Sequence, residues 1–134
     1  MATIQANTVR QYKDLDLRFT AHPVRKDVTK HVDEMAVVNS VKNLILTNHY
    51  ERPFQPEIGS NIQRLLFENM DNITASSIQR EIAQTISNYE PRVIVETIQV
   101  SPDFDNNSYN IGMRFYIVNR TEPISIQFFL QRTR

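Results

Sequence analysis

The residue types best suited to catalysis in this chain are carboxylates. Acidic residues outside the N-terminal third include Glu57, Glu68, Glu90, Glu96 and Asp105. Glycosidase chemistry needs two carboxyl groups about 5–9 Å apart across a cleft. Glu96 and Asp105 are predicted on a strand and its turn, where no cleft is implied, and most of the others occupy solvated helix positions. The residues alone therefore give only weak support for an enzyme.

Other reactive residue types are sparse or wrongly spaced. The histidines, His22, His31 and His49, show no i, i+4 spacing, which excludes a helical metal pair and places them on the surface or in loops. The chain has no cysteine, which excludes disulfides, thiol nucleophiles and cysteine-ligated metals. Its two glycines cannot build a phosphate loop or a dinucleotide fingerprint. We therefore expect no catalytic residue, no metal and no cofactor.

Length and charge indicate one domain that lacks the basic excess typical of nucleic-acid-binding proteins. The 134 residues, 15.7 kDa, correspond to one hydrophobic core. The 15 basic and 15 acidic side chains leave no basic excess for nucleic acid. The charge is uneven: residues 1–32 carry six cations against three acids, residues 33–112 five against eleven, and residues 113–134 four against one. No apolar run reaches the ~20 residues of a membrane span, and no signal peptide is recognisable.

The N-terminal half is predicted to be mainly helical. Residues 1–11 lack periodicity and are expected to be flexible, which leaves residues 12–134 as one domain. Alternating Leu15, Leu17 and Phe19 predict a strand, and residues 24–32 a basic loop. Apolar residues three to four apart predict a first helix over residues 33–48, with Asp33 as its N-cap.

Capping signals place two further helices. After a proline-containing loop at residues 49–57, Ser60 and Gln63 match a capping box that opens the second helix. Thr74 is predicted to cap the third, with a hydrophobic staple between Ile73 and Ile78. Pro91 ends that helix, because proline disfavours helical conformation in the residue before it.

Beyond Pro91 the apolar period changes from 3.6 to 2. Strands are predicted over residues 93–100, 109–117 and 124–130, separated by turn residues. The expected fold class is α+β, with three N-terminal helices followed by an antiparallel β-meander and an additional N-terminal strand. The last strand carries an uncharged outward face, including Gln127 and Phe129, and we expect its edge to accept a strand from a partner.

Four stretches carry a family resemblance. They are residues 14–19 (DLDLRF), 51–60 (ERPFQPEIGS), 65–68 (LLFE) and 88–92 (NYEPR). In order and spacing they resemble the small baseplate-wedge protein of contractile-tailed phages, a family that includes the type VI secretion baseplate subunit. Some members have been labelled lysozyme-like, and a peptidoglycan hydrolase that uses a Glu/Asp pair is therefore kept as the alternative function. One departure is Tyr50, which stands where the family often has glycine.

The resemblance implies a structural virion protein of the tail baseplate, assembled in the host cytoplasm. It implies docking of the Glu-Pro-Arg corner on the helical core bundle of the wedge, and strand addition that starts tail-sheath assembly. No nucleic acid, membrane or small-molecule substrate is implied. The expected partner-binding residues are Glu90, Pro91, Arg92, Arg52, Gln127 and Phe129.

Two interpretations of Glu90 and Arg92 stay open at this level. A carboxylate at a helix C-terminus opposes the helix dipole, at a cost of about 0.3–1 kcal/mol, unless a cation compensates it. Arg92 could provide that cation within the chain, or reach outward to a partner. In the preceding loop, Phe54 is predicted to fill the core and Arg52 to make a surface contact.

Overall fold

The computed structural model describes residues 13–15, 30–32 and 34–132. In chain order the elements are strands β1 (Lys13–Leu15) and β2 (Lys30–Val32), helices α1 (Glu34–Leu46), α2 (Ile62–Leu65) and α3 (Asn72–Tyr89), and strands β3 (Val93–Asp103), β4 (Ser108–Ile117) and β5 (Pro123–Gln131). Helices followed by consecutive strands confirm the predicted α+β class. No helix among these elements is long and apolar enough to cross a membrane.

The three long strands form an antiparallel meander in the order β3-β4-β5. The β3–β4 pairing runs from Val93↔Ile117 to Asp103↔Ser108 and contains a bulge between Val95 and Thr97. The β4–β5 pairing is regular, from Ser108↔Gln131 to Tyr116↔Pro123. Both connections turn at an asparagine with positive φ, Asn107 and Asn119, a residue type that tolerates this conformation.

Helix α3 packs directly on β3, and α1 and α2 pack against α3. The predicted stripe is confirmed, since Ile78, Ile82 and Ile86 are completely buried. The alternation of β4 is equally clear, with every second side chain inward. The core joins all three helices to the meander through Val37, Val41, Ile45, Ile62, Leu66, Ile78, Ile82, Ile86, Ile98, Tyr109, Ile111, Met113, Phe115, Ile117, Ile126 and Leu130.

The beginning of α3 differs from the prediction, whereas its end agrees. Asp71 is the N-cap, and its carboxylate accepts a hydrogen bond of 2.6 Å from the Thr74 amide. Thr74 lies inside the helix and donates its hydroxyl to the Asn69 carbonyl. Ile73 is exposed, so the predicted staple is also wrong. The helix stops at Tyr89, and Glu90 leaves the helical conformation directly before Pro91, as expected.

Helix α2 is a single turn, and the predicted capping box is wrong. The Ser60 hydroxyl donates to the Ile45 carbonyl, and the Gln63 side-chain oxygen accepts from the side-chain amide of Asn48. Both side chains therefore serve contacts with the end of α1 instead of the first turn of their own helix. The N-cap position is Asn61, which makes no side-chain capping bond.

The N-terminal region contains a two-stranded antiparallel sheet in which Lys13–Leu15 pairs with Lys30–Val32. The additional strand is thus present at Leu15, and the end of the segment predicted as a loop, residues 24–32, is its partner. Leu17, Phe19, the proposed cap Asp33 and the proposed flexible residues 1–11 lie outside the described residues. Helix α1 begins at Glu34 and ends at Leu46, close to the predicted bounds.

Candidate docking sites

The helix-to-sheet corner contains a bidentate ion pair within the chain. The Nε and Nη2 atoms of Arg92 lie 2.6 and 2.8 Å from the Oε1 and Oε2 atoms of Glu90. Glu90 is only 4% exposed. The proline between them turns the chain so that two side chains two residues apart can meet. Of the two interpretations left open by the sequence, internal pairing is the one present.

Ser40 of α1 completes this cluster. Its hydroxyl donates a 2.6 Å hydrogen bond to Oε2 of Glu90 and lies 3.1 Å from Nη2 of Arg92. Burial raises the pKa of Glu90, but the hydrogen bonds from Arg92 and Ser40 and the Arg92 charge lower it more, so that the net pKa lies below its ordinary value. The carboxylate is therefore ionised at neutral pH, and it joins α1, α3 and the start of β3.

The segment between α1 and α2, residues 47–60, forms a loop held by internal hydrogen bonds, which we term the proline loop. The Tyr50 amide donates to the Pro56 carbonyl at 2.8 Å, and the Ser60 amide donates to the Thr47 carbonyl at 2.9 Å. Gly59 has a φ of 147°, and a Cβ there would stand 2.7 Å from the carbonyl carbon of Asn48. Only glycine fits both this conformation and this approach, so Gly59 closes the base of the loop.

The tip of the proline loop displays aromatic side chains to solvent. Phe54 is 96% exposed, so its predicted role in the core is wrong, and Tyr50 is 85% exposed. Arg52 is exposed between them, as predicted. Tyr50 has a φ of 67°, in the left-handed region that costs a residue with a side chain about 1–2 kcal/mol. Strain and exposed aromatics on a well-bonded loop are typical of a binding surface.

A hydrogen bond connects the proline loop to the Glu90 corner. The Tyr89 hydroxyl donates to the Glu57 carbonyl at 2.6 Å, and Tyr89 immediately precedes Glu90. The last turn of α3 therefore holds one side of the loop. Four of the predicted partner-binding residues, Arg52, Glu90, Pro91 and Arg92, thus occur in two neighbouring segments. Pro91 is exposed and the Arg92 side chain is 28% exposed, whereas Glu90 faces inward.

The remaining two predicted residues, Gln127 and Phe129, lie on β5, which has β4 as its one neighbour among the described strands. The Arg132 amide donates to the Asn107 carbonyl, and these residues form the pair just beyond Ser108↔Gln131. Hydrogen-bonded pairs alternate along an antiparallel ladder. Even-numbered residues of β5 therefore bond to β4, whereas the backbone groups of Gln127 and Phe129 face the outer edge.

The two edges of the meander differ in chemistry. Strand β5 contains no charged residue from Pro123 to Gln131 and no bulge. Strand β3 has a bulge at Val95/Thr97 and two acidic side chains, Glu96 and Asp103, whereas each of the two strands contains one proline. Bulges and charges discourage a further strand. Within the described part of the chain, β5 is the edge suited to strand addition and β3 is not.

Two of the carboxylates considered for hydrolysis are engaged in ion pairs within the chain. Glu96 lies on the exposed face of the meander, where its Oε2 atom is 3.0 Å from Nε of Arg114. Glu90 is buried and held by two donors, so no substrate oxygen can reach it. The acidic and histidine side chains of residues 34–132 form no cluster that could bind a metal ion.

Sequence reasoning missed two features of these candidate sites. Ser40 lies on a helix fifty residues before Glu90, and nothing in its local sequence signals that contact. The display of Tyr50 and Phe54 had a weak signal, since two prolines nearby, Pro53 and Pro56, favour an exposed turn.

Comparison with known proteins gives a consistent result. The family profile described as baseplate wedge protein gp25 matches residues 31–120. The baseplate wedge protein gp25 of Enterobacteria phage T4 is 32% identical over 119 residues, which cover 89% of this chain and 89% of that protein.

Solved structures share the fold. A protein from Geobacter sulfurreducens named as a tail lysozyme superposes with a TM-score of 0.71 at 18% identity, covering 75% of this chain and 92% of its own. A chain of the anti-feeding prophage baseplate gives 0.63 at 17% identity, with coverages of 92% and 88%. A chain of the postcontracted pyocin R2 baseplate gives 0.54 at 18% identity, with coverages of 89% and 99%. At such identities the likeness concerns the fold alone.

Proposed function

Because the chain belongs to the baseplate wedge protein gp25 family, and is thus a structural component of the tail baseplate of a contractile particle, we propose that it joins two parts of that particle. The proline loop and the Glu90 corner dock on the helical core bundle of the wedge. The β5 edge accepts a strand of the first sheath subunits and so starts sheath assembly. The observation that carries the proposal is that one small domain has both a hydrogen-bonded loop with exposed aromatic side chains and one open, uncharged sheet edge.

The docking half rests on what the loop and corner expose. Tyr50 and Phe54 offer apolar area with little conformational entropy to lose, because the loop is already ordered by its own hydrogen bonds. Aromatic and arginine side chains dominate the binding energy of protein interfaces. Glu90 contributes indirectly, as a positioning residue that fixes Arg92 through its two carboxylate oxygens.

Matched surface variants test the docking half. Arg52→Glu and Phe54→Ser change exposed residues of the loop, while Arg80→Glu and Phe104→Ser change exposed residues elsewhere. Each variant is co-expressed with the other wedge proteins of the same particle, and the complex is quantified by pull-down and size-exclusion chromatography. We expect at least a tenfold loss of affinity for the loop variants and less than twofold for the controls. Equal behaviour of loop and control variants at unchanged melting temperature refutes the docking surface.

The strand-addition half rests on the direction of the β5 backbone groups. The backbone amide of Gln127 faces the outer edge. Gln127→Pro therefore removes one hydrogen-bond donor from that edge without removing a bond to β4. Gln127→Thr keeps the backbone amide and is the control. We expect the proline variant to fold and enter the wedge but to prevent sheath polymerisation, whereas the threonine variant supports it. Normal sheath length with Gln127→Pro, seen by electron microscopy, refutes strand addition.

A further inference from the structure

A hollow of about 220 Å³, lined by apolar and uncharged polar residues, lies beside the end of β5, between that strand and the helices. The end of α1 contributes Ile45 and Leu46, the α2 region contributes Ile62 and Leu66, and the strand contributes Leu130. No charged residue lines it. The Asn48 and Gln63 side chains, hydrogen-bonded to each other, also line it.

The hollow is continuous with the outer edge of β5. Phe129 and Gln131, whose backbone groups face that edge, line it together with Leu130. A strand added to β5 would run about 4.8 Å away and point alternate side chains toward the helices. The inward side chain of that strand beside Leu130 therefore enters the hollow, whereas its neighbours along the strand face the opposite side of the sheet.

We infer that the hollow receives one large uncharged apolar side chain of the added strand and thereby sets the register of that strand. This inference rests on the strand addition proposed above. A volume near 150 Å³ is enough for benzene in a protein interior, so the hollow has room for a leucine, isoleucine, methionine or phenylalanine side chain. Backbone pairing alone does not distinguish registers two residues apart, whereas a single apolar side chain in a single hollow does.

The chemistry of the surroundings specifies the occupant. Neither the hollow nor β5 offers a charge to pair with a charged side chain. The β3 edge of a second copy of the chain is poorly suited, because it is bulged and charged. The occupant is thus a sheath segment with an apolar side chain at one inward position and no charge at the inward positions beside it.

Two lysine variants of matched exposure test the inference. Leu46, 60% exposed, lines the hollow, whereas Ile94, 59% exposed, lies on β3. Lysine at Leu46 suits the C-terminal end of α1, so the fold should tolerate it. We expect Leu46→Lys to weaken binding of the purified sheath subunit by about tenfold to a hundredfold, the value of burying one such side chain, and Ile94→Lys by less than twofold. Binding is measured by biolayer interferometry on the assembled wedge.

Comparison with Gln127→Pro distinguishes an empty hollow from a failure of strand addition itself. If Gln127→Pro abolishes binding and Leu46→Lys leaves it unchanged, a strand adds but the hollow stays empty, and the inference is overturned while the proposed function stands. If Gln127→Pro binds normally, strand addition itself fails, and the inference fails with it.

A cross-link identifies the occupant directly. The natural chain has no cysteine, so a thiol-reactive photo-cross-linker attached to the purified Gln63→Cys variant labels this chain at the hollow alone. After illumination of the wedge with sheath subunits, mass spectrometry should find the link on an apolar residue of a sheath segment. A link to residues 1–12 of the same chain, or to a second copy, overturns the inference.

Discussion

Replacing Arg92 by methionine removes the charge and donors at the corner but keeps most of the apolar stem. Glu90 then remains almost completely buried and keeps the hydrogen bond from the Ser40 hydroxyl. Removing one partner of a buried pair costs about 3–5 kcal/mol, because the other charge is left uncompensated. Water reaches this site, since the Arg92 side chain is 28% exposed, so we expect a loss of about 2–4 kcal/mol at neutral pH.

The pH dependence makes this prediction specific. In the natural chain the pKa of Glu90 lies below its ordinary 4.5, so the stability contributed by its ionised form is present above that value and is lost as the pH falls through the native pKa. In the variant, burial dominates and should raise the pKa of Glu90 above 4.5. The stability difference between the two proteins should therefore be largest near pH 7 and shrink as the pH approaches 4.5.

Urea unfolding followed by circular dichroism at pH 7, 5.5 and 4.5 measures both effects. Arg92→Met, Glu90→Gln and the double variant are compared with the natural chain, and the double variant should lose less stability than the sum of the single variants. A loss below about 1 kcal/mol for Arg92→Met, with no dependence on pH, would show that Glu90 is not a buried charge and would remove the basis for its positioning role.

Further predictions concern backbone conformation. Gly59→Ala should lower the free energy of unfolding by about 1–3 kcal/mol, because alanine is strained at this φ and meets the Asn48 backbone, whereas Gly112→Ala should be neutral or stabilising by about 0.5–1 kcal/mol, because nothing lies within 4 Å of its added Cβ. Equal effects of the two substitutions in urea unfolding would contradict this assignment. Tyr50→Gly should leave stability unchanged or raise it by up to about 1 kcal/mol, because it relieves the left-handed strain, while weakening association with the wedge in a pull-down. A stability loss with unchanged association would place the role of Tyr50 inside the fold instead.

The fold followed from patterns that are local in sequence. The change of period at Pro91, the isoleucine stripe of α3 and the alternation of β4 each depend on a few neighbouring residues, and each was predictable. The errors arose where several residues suit one local role. Asp71, Asn72 and Thr74 are all capping residue types, and only burial of Thr74 and its contact with Asn69 decide among them.

The candidate sites were predictable as segments but not as geometry. Ser60 and Gln63 satisfy the capping-box pattern, yet the end of α1 recruits both side chains, which no local rule contains. Phe54 is a residue type that is usually found in hydrophobic cores, but the hydrogen bonds of the proline loop hold its side chain in solvent. The hollow beside β5 has no sequence signal, because it exists only where α1, α2 and β5 end near one another.

The unequal edges of the meander determine its valency. A sheet with two open edges can accept strands on both sides, and copies of it can join into a fibre. Here the bulge and the two acidic side chains of β3 discourage pairing on one side, while β5 leaves the other side available. Under the strand addition proposed above, such a sheet is monovalent: once β5 has accepted a strand, the described meander offers no second edge suited to extending a fibre.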